Sequence, residues 1–330
     1  MTEGETATAL GRWPASSRAM GIGAIMPISD RSAFGGTPRF ADMLEIARTA
    51  EAVGMDAVWI PDHFLVEEQG GASIRGVWEG WTTVAGLAAA TSRITLGIFV
   101  TCTAFRHPTI IAKMAENLDE ISGGRFVLGL GAGWHKPEFD RFGLPYDYRV
   151  GRFDDAIQII APMLREGRAD YQGTFFAVHD APNLPRGPLG AQGGPPILVG
   201  TGGDRMMRLV ARFADAWNSD WQHDTSTLIP MLERLDAACR EVGRDPSTLV
   251  KTASSNVVMS GCLNLRPNPM TGTHEEIAGQ IRPFRDLGLR HWVAGLDPCT
   301  PKSIEEFARV IELLDRSQDS GTKRRCLPNS

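Results

Sequence analysis

Four clusters of residues in this sequence have the types and spacing to do chemistry. The first is Gly200-Thr201-Gly202-Gly203-Asp204. It follows the apolar run Ile197 to Val199 and precedes a helical pattern with Met206, Leu209, Val210 and Phe213 on one face. A strand that breaks into glycines and restarts as a helix leaves backbone N–H groups free, with the helix dipole behind them, and that arrangement suits a phosphate. Glycine is needed because a Cβ would hold the anion off the backbone. The same run without a ligand is a tight strand-to-helix turn. The second cluster is Asp62-His63, directly after the run Asp56 to Ile60. A histidine there can orient a polar ring or relay a proton near neutral pH, or it can simply cap or pack a loop. The third is Gly131-Ala132-Gly133-Trp134-His135, which closes the run Arg125 to Leu130 with small residues, an indole and an imidazole. The fourth is Asn218, with Trp221 just beyond it. Trp78, in the long Glu67 to Glu79 loop, is a further aromatic whose role is either to line a pocket or to pack that loop.

All four clusters sit at the ends of predicted strands. The hydrophobic periods place strands at Gly21–Met26, Asp56–Ile60, Ile94–Val100, Arg125–Leu130, Ile197–Val199, Asp215–Asn218, Leu249–Val258 and His291–Ala294. Helical periods separate them, and Thr273 with Glu276 reads as a capping box before the seventh helix. Eight strand–helix alternations predict a (β/α)8 TIM barrel, an α/β fold, because right-handed crossovers of this length close naturally. An open doubly wound sheet is the rival, and the lack of GxGxxG after the first strand counts against it. Gly167 to Gly194 breaks the rhythm between helix four and strand five. It is an insertion, holding a hairpin or strand in YQGTFFAV and then a Pro/Gly-rich run, and it is expected to shape access to the mouth. The domain plan is a disordered leader over 1–19, one barrel over 20–315 and a flexible tail over 316–330.

Composition narrows the chemistry. The 330 residues are 42% hydrophobic and carry a net charge of -5, which supports a large core and argues against nucleic acid or an anionic membrane as partner. The five cysteines are scattered and none forms a CxxC pair, so neither a disulfide framework nor a metal site is expected. No apolar run is long enough to span a bilayer, and the first residues lack a secretory hydrophobic region. A cytoplasmic setting follows as the expectation.

Five stretches together carry a resemblance: AEAVGMDAVWIPDHF, SRITLGIFVTCTAFRHP, SGGRFVLGLGAGWHKPEFDRFGLPYDYRVGRFDDAIQII, PPILVGTGGDRMMRLVARFADAWN and DPCTPKSIEEFARVIELL. Occurring in the family's order, they resemble the luciferase-like flavin monooxygenase superfamily, and within it the branch that uses the deazaflavin coenzyme F420. The resemblance implies a reduced F420, or FMN, lying over the barrel mouth. Its phosphate would meet Gly200, Thr201, Gly202, Gly203 and Asp204. Its ring would be met by Asp62 and His63, with His63 the catalytic residue, and by Gly131, Ala132, Gly133 and Asn218. The family often has a cis non-prolyl peptide behind the ring, which by position would be Phe99–Val100, followed by Thr101. Trp78, Trp134, His135 and Trp221 would then line the substrate pocket. Trp134 stands where some sugar-phosphate dehydrogenases of the F420 branch have an acidic glutamate, which points to an apolar wall instead. Phe153, where FMN users often have tyrosine after the arginine, favours F420.

The implied activity is hydride transfer from reduced F420 to a small organic substrate. The alternative is a two-component monooxygenase using reduced FMN, oxygen and a separate cofactor reductase, in which the pocket must exclude water. A non-catalytic flavin-binding protein would be expected to lose His63 or the glycines. A cofactor-free aldolase or isomerase would want a lysine or paired carboxylates at the strand ends; the only lysine near one is Lys251, in the middle of strand seven. By analogy with such barrels, a homodimer is expected.

Overall fold

The computed structural model describes residues 11–29, 33–67, 73–264 and 266–322, without the side chains of 317–322. In chain order the elements are β1 (Gly21–Ile25), α1 (Phe40–Ala52), β2 (Ala57–Ile60), β3 (Leu65–Glu67), β4 (Ile74–Gly76), α2 (Gly80–Ala90), β5 (Thr95–Ile98), β6 (Thr101–Cys102), α3 (Pro108–Ser122), β7 (Phe126–Gly131), α4 (Lys136–Phe142) and α5 (Arg149–Glu166). They continue as β8 (Arg168–Gln172), β9 (Ala177–Pro182), β10 (Ile197–Gly200), α6 (Asp204–Phe213), β11 (Ala216–Ser219), α7 (Leu228–Glu241), β12 (Val250–Val258), α8 (His274–Asp286), β13 (His291–Asp297) and α9 (Pro301–Thr322). Strands β1, β2, β5, β7, β10, β11, β12 and β13 pair in parallel in that order, and β13 returns to β1, so the sheet closes into the eight-stranded barrel the sequence predicts. The capping box forms: Thr273 Oγ1 accepts from the Glu276 N–H at 3.3 Å, and Glu276 accepts from the Thr273 N–H at 2.7 Å.

Alternation along the strands divides the core in two. One set of side chains packs between strands and helices; the other, Ile25, Ala57, Trp59, Val127, Leu198, Ala216, Val250 and Val293, fills the barrel itself. Trp59 is the large member of that interior. It fits because its neighbours are glycines: a Cβ on Gly97 would lie 2.2 Å from the indole, and one on Gly23 would lie 2.7 Å from it.

Two boundaries differ from the expectation. Residues 11–19 are not a loose leader. Trp13 is buried against the Trp59 end of the barrel, and Arg12 pairs with Asp215 while Arg18 pairs with Asp56 and Asp315. An indole and two salt-bridged arginines give this segment enough contacts to be held. Residues 1–10 lie outside the described residues. At the other end α9 continues through Thr322, past the expected start of the tail at Arg316, and 323–330 lie outside the described residues. The insertion forms an antiparallel hairpin, β8 with β9. It lies along α5, where Tyr171 donates to Asp155, and its tip reaches the N-terminal ends of α3 and α5 through His107–Phe176 and Tyr148–Phe175 ring contacts. The tip therefore lies at the mouth end of the barrel, against the helix starts.

Candidate functional site

Glycines at the carboxyl ends of β7, β10 and β13 make room for neighbouring side chains. On β7 they also admit a bulge from the neighbouring strand: a Cβ on Gly129 would lie 2.0 Å from the Ile98 carbonyl oxygen, and one on Gly131 would lie 2.6 Å from the Val100 side chain. In this bulge the Phe99–Val100 peptide is cis, at the position the resemblance implied. The chain then returns to β7 as β6. Thr101 is buried there, and its Oγ1 has no hydrogen-bond partner among the described residues.

Asp62 supports this bulge from below. Its buried carboxylate receives two bonds from Arg106, at 2.8 and 3.0 Å, and one from the Cys102 N–H at 3.1 Å. Arg106 also bonds Glu79, the N-cap of α2, at 2.5 Å. The structure thus places Asp62 in a scaffold that ties β2 to β6, one residue before His63.

His63 is held by a residue the sequence reading passed over. Glu138, buried on α4, lies 2.9 Å from His63 Nδ1 through Oε2, while its Oε1 accepts from the Phe64 and Leu65 N–H groups at 2.6 and 3.1 Å. An ionised carboxylate only accepts, so the pairing fixes the proton on His63 Nδ1 and leaves Nε2 as the ring's remaining acceptor. His63 meets Trp134 edge-on at 5.9 Å and His135 at 6.5 Å. His135 is itself buried; its Nε2 accepts from the Glu67 N–H at 2.9 Å, and burial lowers its pKa against the pull of Glu138. It therefore anchors the β3–β4 hairpin. Trp134 is 66% exposed, and its carbonyl oxygen accepts a bond from the Tyr146 hydroxyl at 3.3 Å. The signal for Glu138 was an acid in the first turn of the helix that follows the Gly131–Gly133 turn.

The glycine run after β10 forms the turn the sequence predicts. The Gly203 N–H reaches Thr201 Oγ1 at 3.3 Å, and Gly203 is the N-cap of α6 with no side-chain cap. A Cβ built on Gly203 meets nothing within 4 Å, so the chain leaves space at the N-cap of α6. Asp204 points elsewhere and pairs with Arg234 at 2.7 Å. Asn218 is buried and accepts from Thr252 Oγ1 at 2.8 Å, while its carbonyl oxygen receives the Thr201 N–H at 3.2 Å. Asn218 thus braces the glycine turn against β11.

The remaining aromatics divide. Trp78 donates its indole N–H to the Pro38 carbonyl at 2.7 Å, which is the loop-packing role. Trp221 has a positive φ of 56°, donates its N–H to Ser254 Oγ at 3.0 Å, and carries the Arg266 guanidinium over its ring at 5.2 Å. Arg266 gave no signal in the sequence, because it lies in the long loop after β12.

Among the described residues no cluster of His, Cys, Asp or Glu could hold a metal ion. The mouth does fit a phosphate-bearing, hydrogen-bonding ring compound. It offers an uncapped helix start beside open space, a buried unpartnered hydroxyl on Thr101, and an oriented imidazole.

A family model described as luciferase-like monooxygenase matches residues 20–285. A pyrimidine monooxygenase, RutA, of Methylorubrum extorquens is 34% identical over 255 residues, covering 72% of this chain and 65% of its own length. The chain thus spans just under two thirds of that curated relative. Among solved structures, an F420-dependent secondary alcohol dehydrogenase bound to an F420-acetone adduct superposes with a TM-score of 0.74 at 21% identity, covering 89% of this chain and 99% of its own. A monooxygenase of Streptomyces bottropensis superposes with a TM-score of 0.72 at 22% identity, covering 90% and 98%. At these identities the superpositions speak for the fold.

Proposed function

The chain belongs to the luciferase-like monooxygenase family, and from that premise we propose that it is an oxidoreductase that holds a reduced flavin-type cofactor, F420 or FMN, over the barrel mouth and acts on a small organic substrate. The observation that carries this reading is the His63–Glu138 pair at the rim, 2.9 Å apart, with Glu138 buried and bound to two backbone N–H groups. A side chain fixed in tautomer and orientation is prepared for a proton or hydrogen-bond task.

When bound, the cofactor supplies the electrons, as a hydride from F420 or by oxygen activation on FMN. The protein's part follows from its own residues. The Gly203 N-cap and the first N–H groups of α6 take the phosphate. Thr101 Oγ1 offers a hydrogen bond to the ring from the β6 side, and His63 Nε2 accepts a proton or hydrogen bond at its edge. Trp134 and Trp221 form apolar walls against which a flat substrate stacks.

Two observations divide the cofactor. Phe153 favours F420, and the 34% identity to a named pyrimidine monooxygenase favours FMN with oxygen and a separate reductase. A homodimer belongs to the same proposal. The deciding experiment is an anaerobic titration of the purified protein with F420 and with FMN, each oxidised and reduced, followed by fluorescence. Tight F420 binding selects the hydride-transfer reading. FMN preference selects monooxygenation and a search for the reductase. Binding of neither overturns the proposal.

A further inference from the structure

A second feature of the mouth is unused by that account. Val293 points into the barrel, so two residues on Gly295 also faces inward, at the carboxyl end of β13, opposite Asn256. A Cβ on Gly295 would lie 3.1 Å from Arg266 Nη1, 2.8 Å from the Trp221 ring and 2.8 Å from Asn256 Oδ1. Asn256 on β12, Trp221 from the loop after β11 and Arg266 from the loop after β12 therefore cover the end of β13. Arg266 makes no ion pair and no hydrogen bond to the described residues. The carboxylate near it is Asp297, which accepts from the Leu263 N–H at 3.1 Å instead. Burial lowers the Arg266 pKa, and the positive charge of Arg75 adds to the effect. Arg75, on β4, likewise has no ion pair among the described residues, and its buried Nε lacks a partner there. Its charge acts on His135 as well as on Arg266.

Two partly desolvated guanidinium groups within range of each other raise the free energy of the empty site. A ligand anion relieves both terms at once. The planar guanidinium lying on an indole matches a planar anion that continues the stack, since arginine binds a carboxylate through two parallel N–H bonds. We propose that Arg266, seated on Trp221 and assisted by Arg75, is the subsite for the carboxylate of a small planar anionic substrate. The proposal rests on the substrate's entering at the mouth described above. The ring of such a substrate extends from Arg266 toward Trp134 and His63.

The probes are paired acids and amides, benzoate with benzamide and nicotinate with nicotinamide, titrated into the full chain by tryptophan fluorescence. The acids are expected to bind at least about tenfold more tightly than the amides. Arg266→Gln should weaken the acids by roughly ten- to a hundredfold, the range of a lost charge-assisted bond, and leave the amides unchanged. Arg266→Lys, which keeps the charge and loses the fork, should fall between. F420 and FMN affinities should be the same in all variants. Equal binding of acid and amide to the unmodified protein would overturn the proposal. So would a loss of cofactor affinity in both Arg266 variants, which would give the arginine to the cofactor's own phosphate. An acid preference that survives while neither cofactor binds would sustain this subsite and sink the cofactor reading.

Discussion

The two ends of the barrel are built on opposite terms. At the amino end Asp215 and Trp59 gather partners. Asp215 receives Arg12 at 2.8 and 3.1 Å, Arg165 at 2.5 Å and the Ile197 N–H at 2.8 Å. Trp13 stacks toward Trp59 at 6.4 Å, and the Trp59 indole N–H donates to His291 Nε2 at 3.0 Å. At the carboxyl end Thr101 Oγ1, Asn256 Oδ1 and Arg75 Nε are buried without partners among the described residues, and α6 begins uncapped beside open space. Unsatisfied buried groups are uncommon in native folds. Those at the carboxyl end lie with an uncapped helix start and leave groups there for contacts with something other than the chain. The closed end holds the barrel together while the open end remains free to bind.

The largest test of this contrast acts on the closed end. His291 is buried and pairs with Trp59, and burial pushes its pKa down to about 4, with Asp56 pulling the other way. In the unfolded chain a histidine titrates near 6.5. Between these values the unfolded state binds the extra proton, so stability is full above about pH 6.5 and falls as the pH drops toward 4, by about 3 kcal/mol in all. Urea unfolding at pH 7.5, 5.5 and 4.5 reads this directly. His291→Gln should flatten the slope between 6.5 and 4; an unchanged slope would show that some other group sets it.

What could be read from the sequence divides along the same line. The eight strands and the glycine turn after β10 were legible because they depend on local pattern: short apolar runs, helical periods and residues that must lack a Cβ. The packing of Trp13 was not legible, since nothing near it in sequence reveals that an indole 46 residues further on waits inside the barrel. At the mouth, His63 was visible as a histidine at a strand end, while its partner Glu138 was not, because 75 residues and five strands separate them. Asp62 shows the converse. Its position beside His63 suggested a ligand contact, yet the pleat turns it toward Arg106, a cation whose place in the loop after β6 only the closed barrel reveals.

A smaller effect is expected from Glu138→Gln, at the open end. Its oxygen must still serve the Phe64 and Leu65 N–H groups, so the amide NH2 turns to His63. The imidazole must then accept at Nδ1 and carry its proton on Nε2, which converts the ring's other nitrogen from acceptor to donor. Turnover should fall by roughly ten- to a hundredfold, the scale of a lost acid–base contribution, with cofactor affinity nearly unchanged. Nitrogen-15 NMR of the His63 ring separates this from a packing defect: the proton should move from Nδ1 to Nε2. If the tautomer stays as it was, Glu138 does not govern His63.

The smallest change in stability, and the sharpest division between the two ends, is expected from Gly203→Ala. The φ of -93° and ψ of 142° suit alanine, and the added methyl group meets no atom of the protein within 4 Å. The melting temperature should hardly move, because the loss of a glycine N-cap costs about 0.5 kcal/mol. The methyl group nevertheless stands at the N-cap, beside the first N–H groups of α6. A phosphate approaching them would be held off the backbone, and affinity for F420 or FMN should fall about tenfold, in line with the few N–H bonds and the dipole contact at stake. Calorimetric melting beside a cofactor titration reads both quantities on one sample. Unaltered cofactor affinity would move the phosphate away from the Gly200–Gly203 turn. A large drop in melting temperature would mean that this turn, like the amino end, is held by contacts within the chain, and the contrast between the two ends would fail at its most open point.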